Sequence, residues 1–290
     1  MLNDRAIRSS RRRFLKLAGT SILTGVGAAG LPTASAGEFT GKIRKAVKFQ
    51  MVQGTDLSVL DKFQLLKELG FDGVEIHTAT KVDPQEVLAA RDAVGLPIHG
   101  VTNSSSPKIR EAIDRSKLYG GSSVLIVAGR VNKETSYDEN YRVWSARLKE
   151  HAPYAEQQGI RLLVENVWNN FLLSPLEMAR FIDEINSPAV GVYFDVGNVV
   201  RYGYPEQWIR ILGKRIGKLD IKEFSRELES NAGVRKGFQV EIGDGDVDYP
   251  AVRKALAEIG YSGWATAEVP GGDRERLAEI ARRMDKALDL

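Results

Sequence analysis

Four acidic residues stand at or near the ends of short β-rich runs, three of them directly after apolar residues. Glu165 follows Leu162-Leu163-Val164, Asp195 follows Val192-Tyr193-Phe194, Glu268 follows Ala265-Thr266-Ala267, and Asp220 opens Asp220-Ile221-Lys222-Glu223. An acid closing a buried strand is costly unless a cation or a hydrogen-bond network compensates it. Taken singly, each reads equally as a salt bridge or a helix cap. Four on successive strands suit a hard cation held by oxygen ligands. The chain has no Cys, which excludes thiolate catalysis, disulfides and cysteine-ligated zinc or iron–sulfur centres. Any metal must therefore sit on oxygen and nitrogen donors. Glu75, His77, His99, Asn166, Asn198, Lys222 and Glu223 occupy similar strand-end positions.

These residues need a scaffold that gathers strand ends. Past residue 40 the chain alternates β-rich runs (45–53, 72–78, 96–101, 122–129, 160–166, 189–195, 216–222, 263–269) with helical patterns (57–69, 84–94, 107–119, 138–158, 174–185, 205–212, 249–259, 273–288). Gly70, Gly95, Gly120, Gly159 and Gly260 mark helix ends. Eight βα units in about 250 residues predict an α/β fold, a (β/α)8 TIM barrel, whose βα loops converge on one rim. A doubly wound sheet would want a glycine-rich dinucleotide loop after the first strand, and Gln50-Met51-Val52-Gln53-Gly54-Thr55 has no such pattern. Residues 224–248 form a long connection without an apparent element, expected to be a lid or insertion whose basic residues could cover an anionic or hydroxyl-rich substrate.

The 290 residues are 43% apolar and 27% charged, the profile of a globular domain. The net charge of +3 belongs to the first 36 residues, which hold six Lys/Arg against Asp4, so residues 37–290 carry a slight acidic excess. That excludes the electrostatic footprint of a nucleic-acid binder. Ser10-Arg11-Arg12-Arg13-Phe14-Leu15-Lys16, the Gly-rich apolar run 17–31 and Ala34-Ser35-Ala36 resemble a twin-arginine signal peptide over 1–36, followed by one barrel domain over 37–290. The expectations are passage through the twin-arginine translocase, a periplasmic or otherwise extracytoplasmic location and no stable membrane anchor. Export of a folded chain would let a carboxylate site load Mg or Mn before meeting zinc or copper.

Phe71-Asp72-Gly73-Val74-Glu75, Val164-Glu165-Asn166, Phe194-Asp195-Val196-Gly197-Asn198, Ile221-Lys222-Glu223, Ile242-Gly243-Asp244-Gly245-Asp246-Val247-Asp248-Tyr249 and Ala267-Glu268 together resemble the xylose-isomerase-like TIM-barrel superfamily of sugar isomerases and epimerases, in order and over nearly the whole chain. The resemblance implies one divalent metal held by Glu165, Asp195, the strand 7 residue Asp220 and Glu268. Glu165 and Glu268 would double as the acid–base pair moving a proton next to a sugar carbonyl through a metal-stabilised enediolate. His77, His99, Asn166 and Asn198 would bind hydroxyls, and Glu75 could orient His77. Where the family reads His-x-Lys-Asp on strand 7 this chain has Asp220-Ile221-Lys222-Glu223, and for Asp-x-Gly-His it has Asp195-Val196-Gly197-Asn198.

Asp in place of His changes the electrostatics. Four carboxylates exceed one divalent ion by two charges, and Lys222, two residues beyond Asp220 on the same strand face, is the expected counter-charge to that surplus. The other outlets are protonation of one carboxylate, or an Asp220 that does not ligate at all. The all-oxygen set favours Mn or Mg over Co or Zn. Trp168 is expected either to stack on a sugar ring or to seal the barrel, and Arg235 to contact substrate from the long connection. Extracytoplasmic location argues for a non-phosphorylated sugar or a glycoside. A 3-keto-glycoside lyase or hydratase would need the same metal and base. A non-catalytic sugar-binding barrel and an endonuclease-IV-like phosphodiesterase are the remaining alternatives; the latter resembles a His-rich site, and this chain has three His. Homo-oligomerisation is left open.

Overall fold

The computed structural model describes residues 36–54 and 56–290; the leader motif lies outside them. Eight parallel strands close into a barrel in sequence order: β1 Ile43–Lys48, β2 Gly73–His77, β3 Ile98–Ser104, β4 Ser123–Ile126, β5 Arg161–Glu165, β6 Val190–Asp195, β7 Ile216–Ile221 and β8 Gly263–Ala267. β1 closes on β8 through five register pairs, from Ile43 with Gly263 to Val47 with Ala267. The outer helices are α1 Val59–Glu68, α2 Pro84–Val94, α3 Ile109–Leu118, α4 Tyr137–Gln158, α5 Pro175–Ile185, α6 Pro205–Leu212, α7 Arg226–Ala232, α8 Tyr249–Glu258 and α9 Arg274–Leu288. No helix among the described residues is long and apolar enough to cross a membrane.

Local chemistry explains where helices begin and end. Ser58 and Asp61 form a reciprocal capping box at α1, Asp83 caps α2 with Pro84 in its first turn, and Gly95 and Gly159 end α2 and α4 in the left-handed conformation. Apolar faces of strands and helices merge in one layer that includes Val47, Phe63, Val74, Val101, Val164 and Ile280. Within the barrel, Leu125, Leu163 and Tyr193 form a smaller separate apolar cluster. The lumen also buries Glu75, His99, Lys218, Asp220 and Thr266.

Two expectations are corrected. The 224–248 connection contains α7 and a short 3-10 turn, Val234–Phe238. Ser225 caps α7 by accepting from Leu228 N. Strand 3 runs on to Ser104 instead of ending near 101, which changes the place of His99.

Candidate metal centre

Glu165 and Asp195 are the last residues of β5 and β6, Asp220 is the penultimate residue of β7, and Glu268 follows β8 directly. Barrel closure brings one oxygen of each within 4.8 Å of all the others, a cluster that could hold a metal ion. Asp195 and Asp220 are ladder partners. The Asn166 side chain continues the sheet pairing beyond β5, accepting from Asp195 N at 2.8 Å and donating to Asp195 O at 2.8 Å. Asn198 N donates to Asp195 Oδ1 at 2.8 Å, and Asn198 Nδ2 to Asn166 O at 3.0 Å. Asn166 thus fixes the backbone of Asp195, and the backbone N–H of Asn198 braces its carboxylate.

Two ammonium groups reach the cluster. Lys222 Nζ lies 3.1 Å from Asp195 Oδ2 and 3.0 Å from Glu268 Oε2. Lys48 Nζ lies 3.0 Å from Asp220 Oδ2 and 3.3 Å from Glu268 Oε1. Lys222 is thus a counter-charge as expected, but to Asp195 and Glu268, and the partner of Asp220 is Lys48. Strand-end reasoning missed Lys48 because the expected strand ran on to residue 53 and made Lys48 internal. It is the last residue of β1, so the rule that singled out the acids applies to it equally. Gly197 lets the β6 loop approach this region, since a Cβ there would press on the Lys222 backbone at 2.9 Å.

With all six groups ionised, four carboxylates and two ammoniums leave a formal charge of −2, the complement of one divalent ion. Burial, with Glu268 beside it, raises the Glu165 carboxyl well above the ordinary range. Burial likewise lifts Asp220, against the pull of Lys48, and pushes Asp195 up to about 6 against that of Lys222. For Glu268 burial acts upward too, but Lys222 and Lys48 together hold it down to about 2. Asp220 Oδ1 is buried and has no hydrogen-bond partner, the state in which a ligand oxygen is available. The hard donors, their convergence, this orphaned oxygen and the residual charge all fit a divalent cation of the Mg or Mn type.

The cluster opens into a cavity of about 850 Å³, whose lining includes Lys48, Thr102, Ser104, Glu165, Trp168, Asn198, Lys222, Phe238 and Glu268. Trp168 Nε1 donates to Asn198 O at 2.8 Å, and the ring packs on Phe238 and Phe224 with centroids 4.7 and 5.5 Å away. Trp168 therefore both seals the wall and faces the cavity. Phe238 is what the 224–248 insertion contributes to the lining.

Other expected site residues fall elsewhere. His99 sits near the start of β3, stacked on Trp264 at 4.6 Å, with Nδ1 2.9 Å from Lys218 Nζ and Nε2 3.2 Å from Thr266 Oγ1. It is a buried lumen residue, kept neutral by burial and by Lys218. Because β3 continues to Ser104, Thr102 and Ser104 reach the cavity in its stead. His77 lines a separate cleft with Asn103 and Lys108; its Nδ1 accepts from Ala79 N at 2.9 Å and its Nε2 lies 3.2 Å from Ser104 Oγ. Glu75 is bonded to Thr102 Oγ1 at 3.1 Å, not to His77. Glu223 accepts from the backbone N–H groups of Phe224, Gly243 and Val247, so it clamps the loop before α8. Arg235 is exposed on the 3-10 turn and is not part of the cavity lining, because α7 and the turn direct it outward.

The closed barrel with acids at its strand ends coincides with one family description, the xylose isomerase-like TIM barrel, which matches residues 63–288. The chain belongs to that family. The inosose dehydratase of Clostridium perfringens is 24% identical over 143 residues, 45% of this chain and 48% of that protein. The chain thus spans about half the length of the curated relatives it matches. Solved structures of xylose isomerase-like architecture align more fully. The D-allulose 3-epimerase of Methylomonas sp., in complex with D-allulose, gives a TM-score of 0.68 at 20% identity, covering 84% of this chain and 96% of that one. The 3-keto-D-glucoside 4-epimerase of E. coli gives 0.69 at 17%, covering 86% and 100%. At these identities the likeness is one of fold.

Proposed function

We propose that this protein is a metal-dependent sugar epimerase or isomerase that moves a proton on the carbon next to a carbonyl. The observation that carries the reading is the convergence of Glu165, Asp195, Asp220 and Glu268, of which Glu165 and Glu268 line an open polar cavity. A divalent ion held by these four carboxylates would supply Lewis acidity toward a substrate carbonyl and its neighbouring hydroxyl.

The residues divide the acid–base work. Glu268, kept ionised between two ammonium groups, takes the proton from carbon. Glu165, recharged with a proton from water, returns one to the other face. As the C–H bond breaks, its electron pair moves toward the carbonyl oxygen, and the cavity-lining ammoniums of Lys48 and Lys222 place positive charge near that oxygen. Trp168 and Phe238 supply flat faces for a sugar ring.

The likeness to inosose dehydratases supports a second reading, a lyase or dehydratase acting on a keto sugar or 3-keto-glycoside. The first proton transfer is the same; a β-substituent then leaves with its bonding electrons and takes a proton from Glu165. Incubation of the Mn-loaded protein in D2O separates the two. Deuterium at the carbon next to the carbonyl of recovered D-fructose or D-allulose supports epimerisation, and release of free aglycone from a 3-keto-glucoside supports elimination. Neither outcome with Mn bound would remove both readings. Division into a 1–36 leader and a 37–290 barrel, with export by the twin-arginine route, is part of the proposal; the amino terminus of protein recovered outside the cytoplasm tests it.

A further inference from the structure

The cavity is longer than one sugar ring requires. Besides Glu165 and Glu268 it is lined by the β4–α4 loop, through Gly129, Arg130 and Thr135, and by one face of α4, through Glu139, Val143, Trp144 and Arg147. At 1.5 Å per residue, Glu139 to Arg147 is about 12 Å of helix. A volume of about 850 Å³ lies toward the upper end of the range for ligands much larger than a monosaccharide. The lining is mixed in charge: Glu165 and Glu268 come from the acid cluster, while Arg130 comes from the β4–α4 loop and Glu139 and Arg147 from α4. Neither arginine is ion-paired to a described residue.

The wall that carries Arg130 is fixed in place. Gly129 has φ +66, and a Cβ on it would overlap Trp144 Nε1 and Asn140 Oδ1. Only glycine therefore lets the loop close on α4. Asn140 Nδ2 donates to Ala128 O and Asn169 Nδ2 to Gly129 O, both at 2.9 Å. The Arg147 guanidinium lies 5.0 Å from the centre of the Trp144 ring, which restricts its freedom before any ligand arrives.

We propose that this end of the cavity is a second subsite: it takes the aglycone of a glycoside and prefers one bearing a carboxylate, held by Arg130 and Arg147, while the reacting ring lies over the acid cluster. The proposal rests on the sugar reading above. Guanidinium groups bind carboxylates through paired, charge-assisted hydrogen bonds.

The test compares kcat/KM of the Mn-loaded full-length protein for methyl, phenyl and 4-carboxyphenyl 3-keto-β-D-glucosides. The carboxyphenyl compound should exceed the phenyl compound by about tenfold at low ionic strength, and the ratio should shrink as salt is added. Arg130→Met and Arg147→Met should each bring the ratio toward one, with Arg147→Lys keeping part of it. Equal values for phenyl and carboxyphenyl probes in the unaltered protein would overturn the proposal, whether or not either variant folds. Consumption of the methyl glucoside as fast as both aryl compounds would overturn the subsite while leaving the sugar reading intact. Consumption of none of the three, with Mn bound, would overturn the subsite together with the 3-keto-glycoside reading, while deuterium exchange into D-fructose or D-allulose would still uphold the epimerase.

Discussion

Lys48 Nζ lies 3.0 Å from Asp220 Oδ2, joining the last residue of β1 to a fully buried carboxylate on β7. β8 stands between those strands around the wall, so the pair exists only in the closed barrel. Deleting the ammonium leaves a buried carboxylate without its cation. Lys48→Met is expected to cost about 3 kcal/mol in the metal-free protein at pH 8, and less at pH 5, where Asp220 takes up a proton more readily. Urea unfolding at both pH values measures this. Asp220→Asn added to Lys48→Met should recover part of the loss; strictly additive effects would show that the contact carries no energy.

Calorimetric titration of the metal-free protein with Mn is expected to give one site per chain. Asp195→Asn and Glu165→Gln should each weaken it by roughly tenfold or more, since each removes a charged oxygen donor. Unchanged affinity in both variants would disprove the assignment of the cluster.

Metal affinity should rise with pH. Glu165, Asp195 and Asp220 all hold protons above the ordinary carboxylate range, chiefly through burial, Asp195 up to about 6. A bound cation must displace those protons, so Mn binding should strengthen as pH rises through about 6. Proton release measured in buffers of different ionisation enthalpy checks it.

The same shifts govern metal-free stability. Asp195 moves from an ordinary 3.8 to about 6 on folding, so the native state binds more protons in that interval. Its stabilising contribution is complete below about pH 4 and is lost as pH rises through about 6. Glu268 moves the other way, from 4.5 to about 2; its contribution is present above about 4.5 and is lost as pH falls toward 2. The metal-free Tm should therefore peak at mildly acidic pH and fall toward pH 8, and saturating Mn should abolish that fall. A metal-free Tm that is flat from pH 5 to 8 would contradict the shifts.

Glu268→Gln should lower kcat by about 10²–10⁴-fold in a protein whose circular dichroism is unchanged. Glu223→Gln should behave differently. Its carboxylate serves three backbone donors of a loop, so the variant is expected to lose about 1–3 kcal/mol of stability while Mn affinity stays the same. Altered Mn affinity would return Glu223 to the metal's surroundings.

Much of the barrel was legible because its signals are local. α2 and α6 have the bounds that periodicity and capping residues predict, 84–94 and 205–212, and Glu165, Asp195 and Glu268 stood out because each ends an apolar run, while Asp220, near the end of a β-rich run, was singled out as the strand 7 ligand by the family resemblance. α7 was missed because no residue in Arg226–Ala232 is buried. A helix that buries nothing has no apolar stripe to announce it. His99 was misplaced for a different reason: Gly100 through Ser104 is mixed in polarity, and a strand lining a polar lumen does not alternate as a half-solvated strand does.

Residue order and type were enough to specify eight βα units, the absence of thiol chemistry and the acids at the ends of strands 5 to 8, because these depend on patterns within a few residues of one another. Which cation answers which acid was not readable from the chain. Lys48 and Asp220 are separated by 172 positions, and their contact, like the long polar cavity along α4, arises from the closure of β1 on β8 and from loops of unrelated sequence meeting across the rim. Coulombic pairing acts over a few ångströms in space, and only the folded barrel sets those distances.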